Sequence, residues 1–440
     1  MDTFDEKFVW NLYLLRDVPV ALHPWCVVLI QGFVEQHRVV VGFNRIVSIA
    51  LLARRSRHFA GTRYNKRGQD MQGHCANEVE VEQIVVDESQ GTSLGGHCHT
   101  SFVQLRASIP LFWSQPSAGL NPKPDVCLYN TDPLYHTTAL HFRQLMQRYG
   151  SPVFILNLVK RQEKKKRESL LSEEFEKAVH ILNAGITDKE HAIRYIHFDF
   201  FQESKADHEK DTVYDRLLKL TTQIVDNVGI FHAGSNRWAS AVAHDVPVAK
   251  CMQQRGILRS NCIDCLDRTN AAQFWAGVRA LTLQFQALGL TNTDVPSSCS
   301  IIEDLLMDLY VKLGDELAIQ YVGSLAHDKT GGKGHKSSGG GSMRKFTKLI
   351  VSAQRYISNT FTDQEKQQAF DVFLGTFCPR LNHHTTPVIW HADDRSFFWS
   401  SSINREYCAL RPNRPSDGWW RQPLLCFNNG VQVLARRSLL

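Results

Sequence analysis

In the stretch "NEVEVEQIVV", Asn77 to Val86, Val alternates with Glu or Gln at every second position, the period of a strand with one apolar and one polar face. "HRVVVGFNRIVSIALL" (His37 to Leu52) and "TSFVQLRASIPLFW" (Thr100 to Trp113) are β-branched and aromatic runs bounded by turn residues, and they also predict strands. The first third of the chain therefore predicts a sheet with one wet face, on which Glu78, Glu80 and Glu82 project into water. From Ser151 onward the pattern changes. Strand-like segments, "PVFILNLV" and "IRYIHFDFF", alternate with helical ones, which predicts α/β layering. In "SLLSEEFEKAVHILNAG", Leu170, Phe175, Val179 and Leu182 keep helical spacing and Gly185 stands at the C′ position. Two further helices are predicted over "FTKLIVSAQRYISNTF" and "DQEKQQAFDVFLGTF".

A composition of 43% hydrophobic and 21% charged residues in 440 is that of a globular protein able to bury a large core. The net charge of +6, from 50 basic and 44 acidic residues, is compatible with contact to anionic lipid and too small to argue for nucleic acid. Eleven cysteines without regular spacing, behind an acidic N-terminus that lacks a secretory pattern, predict reduced thiols in the cytosol. No apolar run reaches the roughly 18 residues of a membrane span. The run "KRQEKKKRE", Lys160 to Glu168, reads as a solvated helix start, with anionic lipid contact as the second reading. "TGGKGHKSSGGGSMRK", Thr330 to Lys345, predicts a mobile loop; it is not a nucleotide P-loop, because Gly334 is followed by His335 and no strand leads into it. The last sixty residues predict an irregular tail.

The chemistry concentrates in "RSNCIDCLDRTN", Arg259 to Asn270, which contains the pattern C-x5-R-T from Cys262 to Thr269. A short strand, "GILRS", precedes it. Thr269 or Asn270 is placed to cap a helix in which Phe274, Val278, Leu281, Phe285 and Leu288 form an apolar stripe ending before Gly289. A strand, loop and helix in this order aim loop amides and the positive helix end at one point, a setting that binds phosphate dianions and stabilises a thiolate. Cys262 is thus the candidate nucleophile. Arg268 offers a planar fork for phosphoryl oxygens, and the backbone of Ile263, Cys265, Leu266, Asp267 and Thr269 completes the phosphate-binding loop.

A carboxylate beside a bound phosphate is costly unless protonated or turned away. Asp264 is the candidate that carries a proton to the leaving alkoxide and later takes one from water, with Asp199 of "HFDFF" as its competitor; Asp267 is read as orienting the loop or Arg268. Cys262 and Cys265 also match a C-x-x-C redox pair, but that reading gives Arg268 no role. A zinc site would need a second pair of ligands, and "HCHT" at His97 to Thr100 lacks the spacing, so no metal or other cofactor is predicted. Cys265 is read as a small packed residue.

The run "RSNCIDCLDRTNAAQF" resembles the catalytic loop of the Sac-domain phosphoinositide phosphatases, and "FVWNLYLL", "ARRSRHFAGTRYNKRG", "SFVQLRASIPLFWSQ", "YIHFDF" and "GDELAIQYVGSLAH" are similar to successive Sac segments. The resemblance runs from about Phe8 to Phe377 and is nearest the endosomal and vacuolar subgroup that removes the 5-phosphate of phosphatidylinositol 3,5-bisphosphate. It implies an α/β fold in which an N-terminal β-rich subdomain, here shortened, packs on a catalytic subdomain carrying the C-x5-R-T loop. The implied division is 1–115 for the partial N-terminal subdomain and start of the catalytic part, 116–378 for the catalytic subdomain with the 330–345 loop, and 379–440 for the tail.

It also implies hydrolysis of an inositol-lipid phosphate monoester through a cysteinyl-phosphate. Phosphatidylinositol 4-phosphate or broad specificity is the alternative substrate, and an inactive scaffold for a lipid-kinase complex is the alternative of another class. The implied partners are a phosphoinositide at a membrane surface, a scaffold protein and a lipid kinase, with the protein peripheral on endosomal or vacuolar membranes. A polyphosphate headgroup needs more cations than Arg268 supplies, and Arg54, Arg55, Arg57, Arg63 and Arg106 are the candidates.

Overall fold

The computed structural model describes residues 4–41, 44–89, 98–115, 124–163, 165–205, 213–233, 252–264, 266–291, 300–323, 325 and 363–376. After a one-turn helix α1 (Leu12–Leu15), four strands run antiparallel in sequence order: β1 (Gly32–Val41), β2 (Arg45–Arg55), β3 (Val79–Asp87) and β4 (Cys98–Arg106). The minor strands β5 (Trp113–Ser114) and β6 (Cys127–Leu128) pair with each other. Next come helix α2 (His136–Tyr149), strand β7 (Val153–Asn157), helix α3 (Glu168–Ala184), strand β8 (Arg194–His197), helices α4 (Phe200–Lys205) and α5 (Val213–Val228), and strand β9 (Phe231–Ala233). Strand β10 (Ile257–Asn261) leads into helix α6 (Asp267–Ala287), followed by α7 (Ser300–Val322) and α8 (Asp363–Phe373).

The sheet order is β1-β2-β3-β4-β10-β7-β8. β10 lies parallel to both β4 and β7, and β7 parallel to β8, so an antiparallel meander and a parallel α/β half share one mixed sheet. Strands from before and after residue 115 pair in this one sheet. Helices α2 and α3 cover one face through Phe142, Leu145, Leu171 and Phe175 against Val103, Leu105, Ile155 and Ile257. On the other face, α6 and α7 pack Phe274, Leu281, Phe285, Leu309 and Leu313 on Ile49, Leu51, Val81 and Val85. The alternation in "NEVEVEQIVV" thus has a second cause.

Its polar positions are buried, which corrects the expected wet face. Glu80 lies directly opposite Arg54 in the β2–β3 register; Arg54 donates to Glu80 Oε1 through Nε at 3.0 Å and Nη2 at 2.6 Å, and to Glu82 Oε2 at 2.6 Å. The C-terminal end of α2 closes over this group, where Tyr149 and Arg148 also bond Glu80, and Glu78 pairs with Lys7. Buried opposite charges at cross-strand positions satisfy one another, so period-two polarity here marks an internal ion network. Burial opposes ionisation of Glu80, yet the Arg148 and Arg54 guanidinium groups and the Tyr149 hydroxyl hold its carboxyl well below the usual range.

Of the later expectations, α8 forms over the second predicted helix. The first, with the 330–345 loop and the 379–440 tail, falls outside the described residues. Among the described residues, no helix is long and apolar enough to cross a membrane.

Candidate active site

Strands β4, β7, β8 and β10 point the same way, so their C-terminal ends share one edge of the sheet, the edge where open parallel sheets bind ligands. β10 ends at Asn261, and the loop that starts at Cys262 enters α6 at Asp267. Cys262 is only 2% exposed, packed among Leu158, Phe198 and Ala272. Cys265 lies outside the described residues.

The helix starts three residues earlier than a Thr269 cap would place it, with Leu266 at the cap position. Thr269 is turned inward instead, its hydroxyl donating to the Cys262 sulfur at 3.3 Å. The Asn270 amide reaches the Leu266 carbonyl at 2.8 Å, while its side chain accepts from Arg106 at 3.3 Å and donates to the Tyr310 carbonyl at 2.7 Å. Asp267, Arg268 and Thr269 therefore occupy the first turn, where backbone N–H groups have no partner within the helix.

Several bonds fix the loop from below. The Leu158 amide donates to the Asn261 carbonyl at 2.8 Å, and Asn261 Nδ2 donates to Asn157 Oδ1 at 2.6 Å, tying the ends of β7 and β10 together. Arg106, fully buried, donates to the Leu266 carbonyl at 3.2 Å. Arg67 donates to the Ile263 carbonyl at 2.6 Å.

Two cations converge on Asp264. Arg63 engages it through both Nε at 3.0 Å and Nη2 at 2.6 Å, and Arg67 Nη2 adds a third bond at 2.7 Å. Burial works against the charge, but these two guanidinium groups hold the carboxyl well below the usual carboxylate range. In this geometry Asp264 is an anion, so a proton donor there requires that its cations be drawn away. The competing carboxylate, Asp199, accepts from the Phe201 amide at 2.9 Å and the Arg161 amide at 2.8 Å, which is a turn and helix-start role.

Arg268 donates through Nη1 to the Leu158 carbonyl at 2.7 Å and to Glu168 Oε2 at 2.8 Å, and through Nη2 to Glu168 Oε1 at 3.2 Å. Burial disfavours its charge, yet the neighbouring Cys262 sulfur and the Glu168 carboxylate raise its pKa above the ordinary value.

The structure redistributes the cations proposed for a headgroup. Arg54 and Arg55 are corrected to internal residues: Arg54 is 1% exposed between Glu80 and Glu82, and Arg55 donates to the Gly61 carbonyl, Asn77 and Gln31. Arg57 donates through Nε to the Glu6 carbonyl at 2.7 Å. Arg106 supports the loop backbone, and Arg63 stands at Asp264 together with Arg67. Neither Arg67 nor Glu168 stands out in sequence, because Arg67 is one of a dense basic run and Glu168 is 100 positions from the arginine it holds.

Residues 1–205 match the SacI homology domain. The "Phosphatidylinositol-3-phosphatase SAC1" of Arabidopsis thaliana is 36% identical over 458 residues, covering 91% of this chain and 49% of that protein. The "Polyphosphoinositide phosphatase" of Schizosaccharomyces pombe is 40% identical over 381 residues, with 84% of this chain and 44% of that protein covered. The "Phosphoinositide phosphatase SAC2" of Arabidopsis thaliana is 38% identical over 435 residues, or 88% of this chain and 52% of that protein. The chain spans about half the length of the curated relatives it matches. With its mixed sheet, its SacI homology match and these identities along most of its length, the chain belongs to the Sac-domain phosphoinositide phosphatase family.

Proposed function

We propose that the protein hydrolyses a phosphate monoester of an inositol-lipid headgroup through a cysteinyl-phosphate intermediate. The observation that carries this reading is the placement of Cys262, Thr269 and Arg268 at the junction of β10 and α6, with the Thr269 hydroxyl on the Cys262 sulfur. The Cys262 sulfur attacks phosphorus, and the S–P bond forms as the P–O bond to the inositol breaks. Arg268 and the amides of Ile263 to Thr269 hold the phosphoryl oxygens, where negative charge spreads in the transition state. Water then cleaves the S–P bond and returns the thiolate.

Asp264 serves as the proton carrier in this reading. A headgroup phosphate competes for Arg63 and Arg67, and a carboxylate that loses its cations beside a dianion has its pKa raised. The proton it then gains goes to the leaving inositol oxygen, and it takes one back from the attacking water.

The substrate we infer is phosphatidylinositol 3,5-bisphosphate, cleaved at the 5-phosphate, on the resemblance of "RHFAGTRYNKRG" to the endosomal and vacuolar subgroup. That resemblance also supports a peripheral place on endosomal or vacuolar membranes and a complex with a scaffold protein and a lipid kinase. The test is phosphate release from a panel of short-chain phosphoinositides phosphorylated at the 3, 4 or 5 position or at two of them. Release from the 3,5-bisphosphate with a 3-monophosphate product supports the assignment; release only from 3- or 4-monophosphates overturns the regiochemistry, and no release from any member overturns the enzymatic reading in favour of the scaffold.

A further inference from the structure

The guanidinium of an arginine has two edges that can each grip a pair of oxygens: the end formed by both terminal nitrogens, and the side formed by Nε and Nη2. In Arg268 the end is occupied. Both of its terminal nitrogens bond Glu168, and Nη1 also bonds the Leu158 carbonyl. Among the described residues Nε forms no hydrogen bond, and Nη2 uses one of its two hydrogens. The side edge is thus available for a phosphoryl group.

Glu168 is itself held in place. It is the first residue of α3, its side chain is 12% exposed, and its Oε2 also accepts from the Lys160 amide at 2.9 Å. Glu163 accepts from the amides of Arg167 and Ser169, fixing the start of the same helix. Leu158, the other anchor of Arg268, is bonded by its own amide to Asn261, the residue before Cys262. Through these bonds the side chain of Arg268 is set against the end of β10, where Cys262 follows.

We propose that Glu168 is the positioning residue of the site, gripping Arg268 by its end so that the side edge, Nε and Nη2, is presented to the phosphoryl oxygens. The proposal rests on the assignment of Arg268 as the phosphate-gripping residue. Its physical content is orientation: a free arginine side chain samples many rotamers, and an ion pair formed before substrate arrives removes the cost of ordering it from the chemical step. The last residue of a run that reads as a solvated basic stretch is then part of the machinery, acting through another residue and not on substrate. Because the pair leaves the side edge open, phosphate has no need to displace Glu168.

The test is steady-state kinetics of Glu168→Gln on soluble short-chain phosphatidylinositol 3,5-bisphosphate, with Glu168→Asp and the Arg268→Lys background alongside. The expected result is a loss of roughly 10- to 100-fold in kcat with KM changed by less than about threefold, since misplacement affects the transition state more than binding. Glu168→Asp, which keeps the charge, is expected to recover part of the loss. In the Arg268→Lys background Glu168→Gln is expected to cost less than about twofold, because a residue acting through Arg268 has nothing left to position. Wild-type kcat in Glu168→Gln, a raised kcat, or full multiplication of the two losses would overturn the proposal. Wild-type turnover in Cys262→Ser would instead overturn the reading on which it rests.

Discussion

The Thr269 hydroxyl donates to the Cys262 sulfur at 3.3 Å across the mouth of the β10–α6 loop. A hydrogen bond to the anionic form of the sulfur favours the thiolate, so in the proposed mechanism Thr269 supports the attacking sulfur; it lies inside the first turn of α6 and is not its cap. Thr269→Ala is expected to lower kcat by roughly 10-fold, the worth of one hydrogen bond to a charged group, while Thr269→Ser retains most of the activity. Single-turnover phosphate release from the two variants checks this; equal rates in Thr269→Ala and wild type contradict it.

Arg63 and Arg67 share one carboxylate, and Arg63 grips it through a complete Nε and Nη2 fork. If a headgroup phosphate takes over that fork, Arg63→Ala is expected to raise KM for a bisphosphate by roughly 10- to 100-fold and for a monophosphate much less. Michaelis constants for matched short-chain substrates decide it. An equal rise for both would assign Arg63 to the loop alone.

The strands and the order of layers are legible in sequence because alternation and short apolar runs report directly on burial. What sequence could not separate is a polar residue facing water from one facing an opposite charge: Glu80 and Glu82 look like a wet face until Arg54, about 26 positions earlier, is folded against them. Cys262 and Arg268 stand out as candidates in sequence because their spacing is a local pattern, and the structure sets that pattern between a strand and a helix. Glu168 and Arg67 do not, since their meaning comes from contacts made 100 and 197 positions away.

Glu80 offers a test of the buried network. Its folded pKa is depressed below the unfolded value of about 4.3, so its contribution to stability is fully present above that pH and is lost as the pH falls through the folded value. Glu80→Gln leaves Arg54 and Arg148 without a shared anion and is expected to destabilise by about 3 to 5 kcal/mol at neutral pH. It is also expected to flatten the dependence of stability on pH at the acid end. Urea unfolding of both proteins from pH 7 down to pH 3 measures both effects.

Gly314 in α7 lies against the residue that anchors the start of α6. A Cβ there would stand 2.7 Å from Asn270 Nδ2, and Asn270 is held on both sides by Arg106 and the Tyr310 carbonyl. Gly314→Ala is therefore expected to cost about 1 to 3 kcal/mol in stability and to lower phosphatase activity, because the displaced Asn270 carries the loop with it. Activity retained together with a lowered melting temperature would uncouple the helix contact from the loop.

If phosphate leaves its inositol lipid by transfer to Cys262, the sulfur at that position is indispensable. The most direct measurement is phosphate release from short-chain phosphatidylinositol 3,5-bisphosphate by wild type and by Cys262→Ser, side by side, with the fold of both verified by thermal unfolding. Turnover by the wild type and a loss of at least roughly 10³-fold in a folded Cys262→Ser are expected. Undiminished release by that variant would contradict transfer to Cys262.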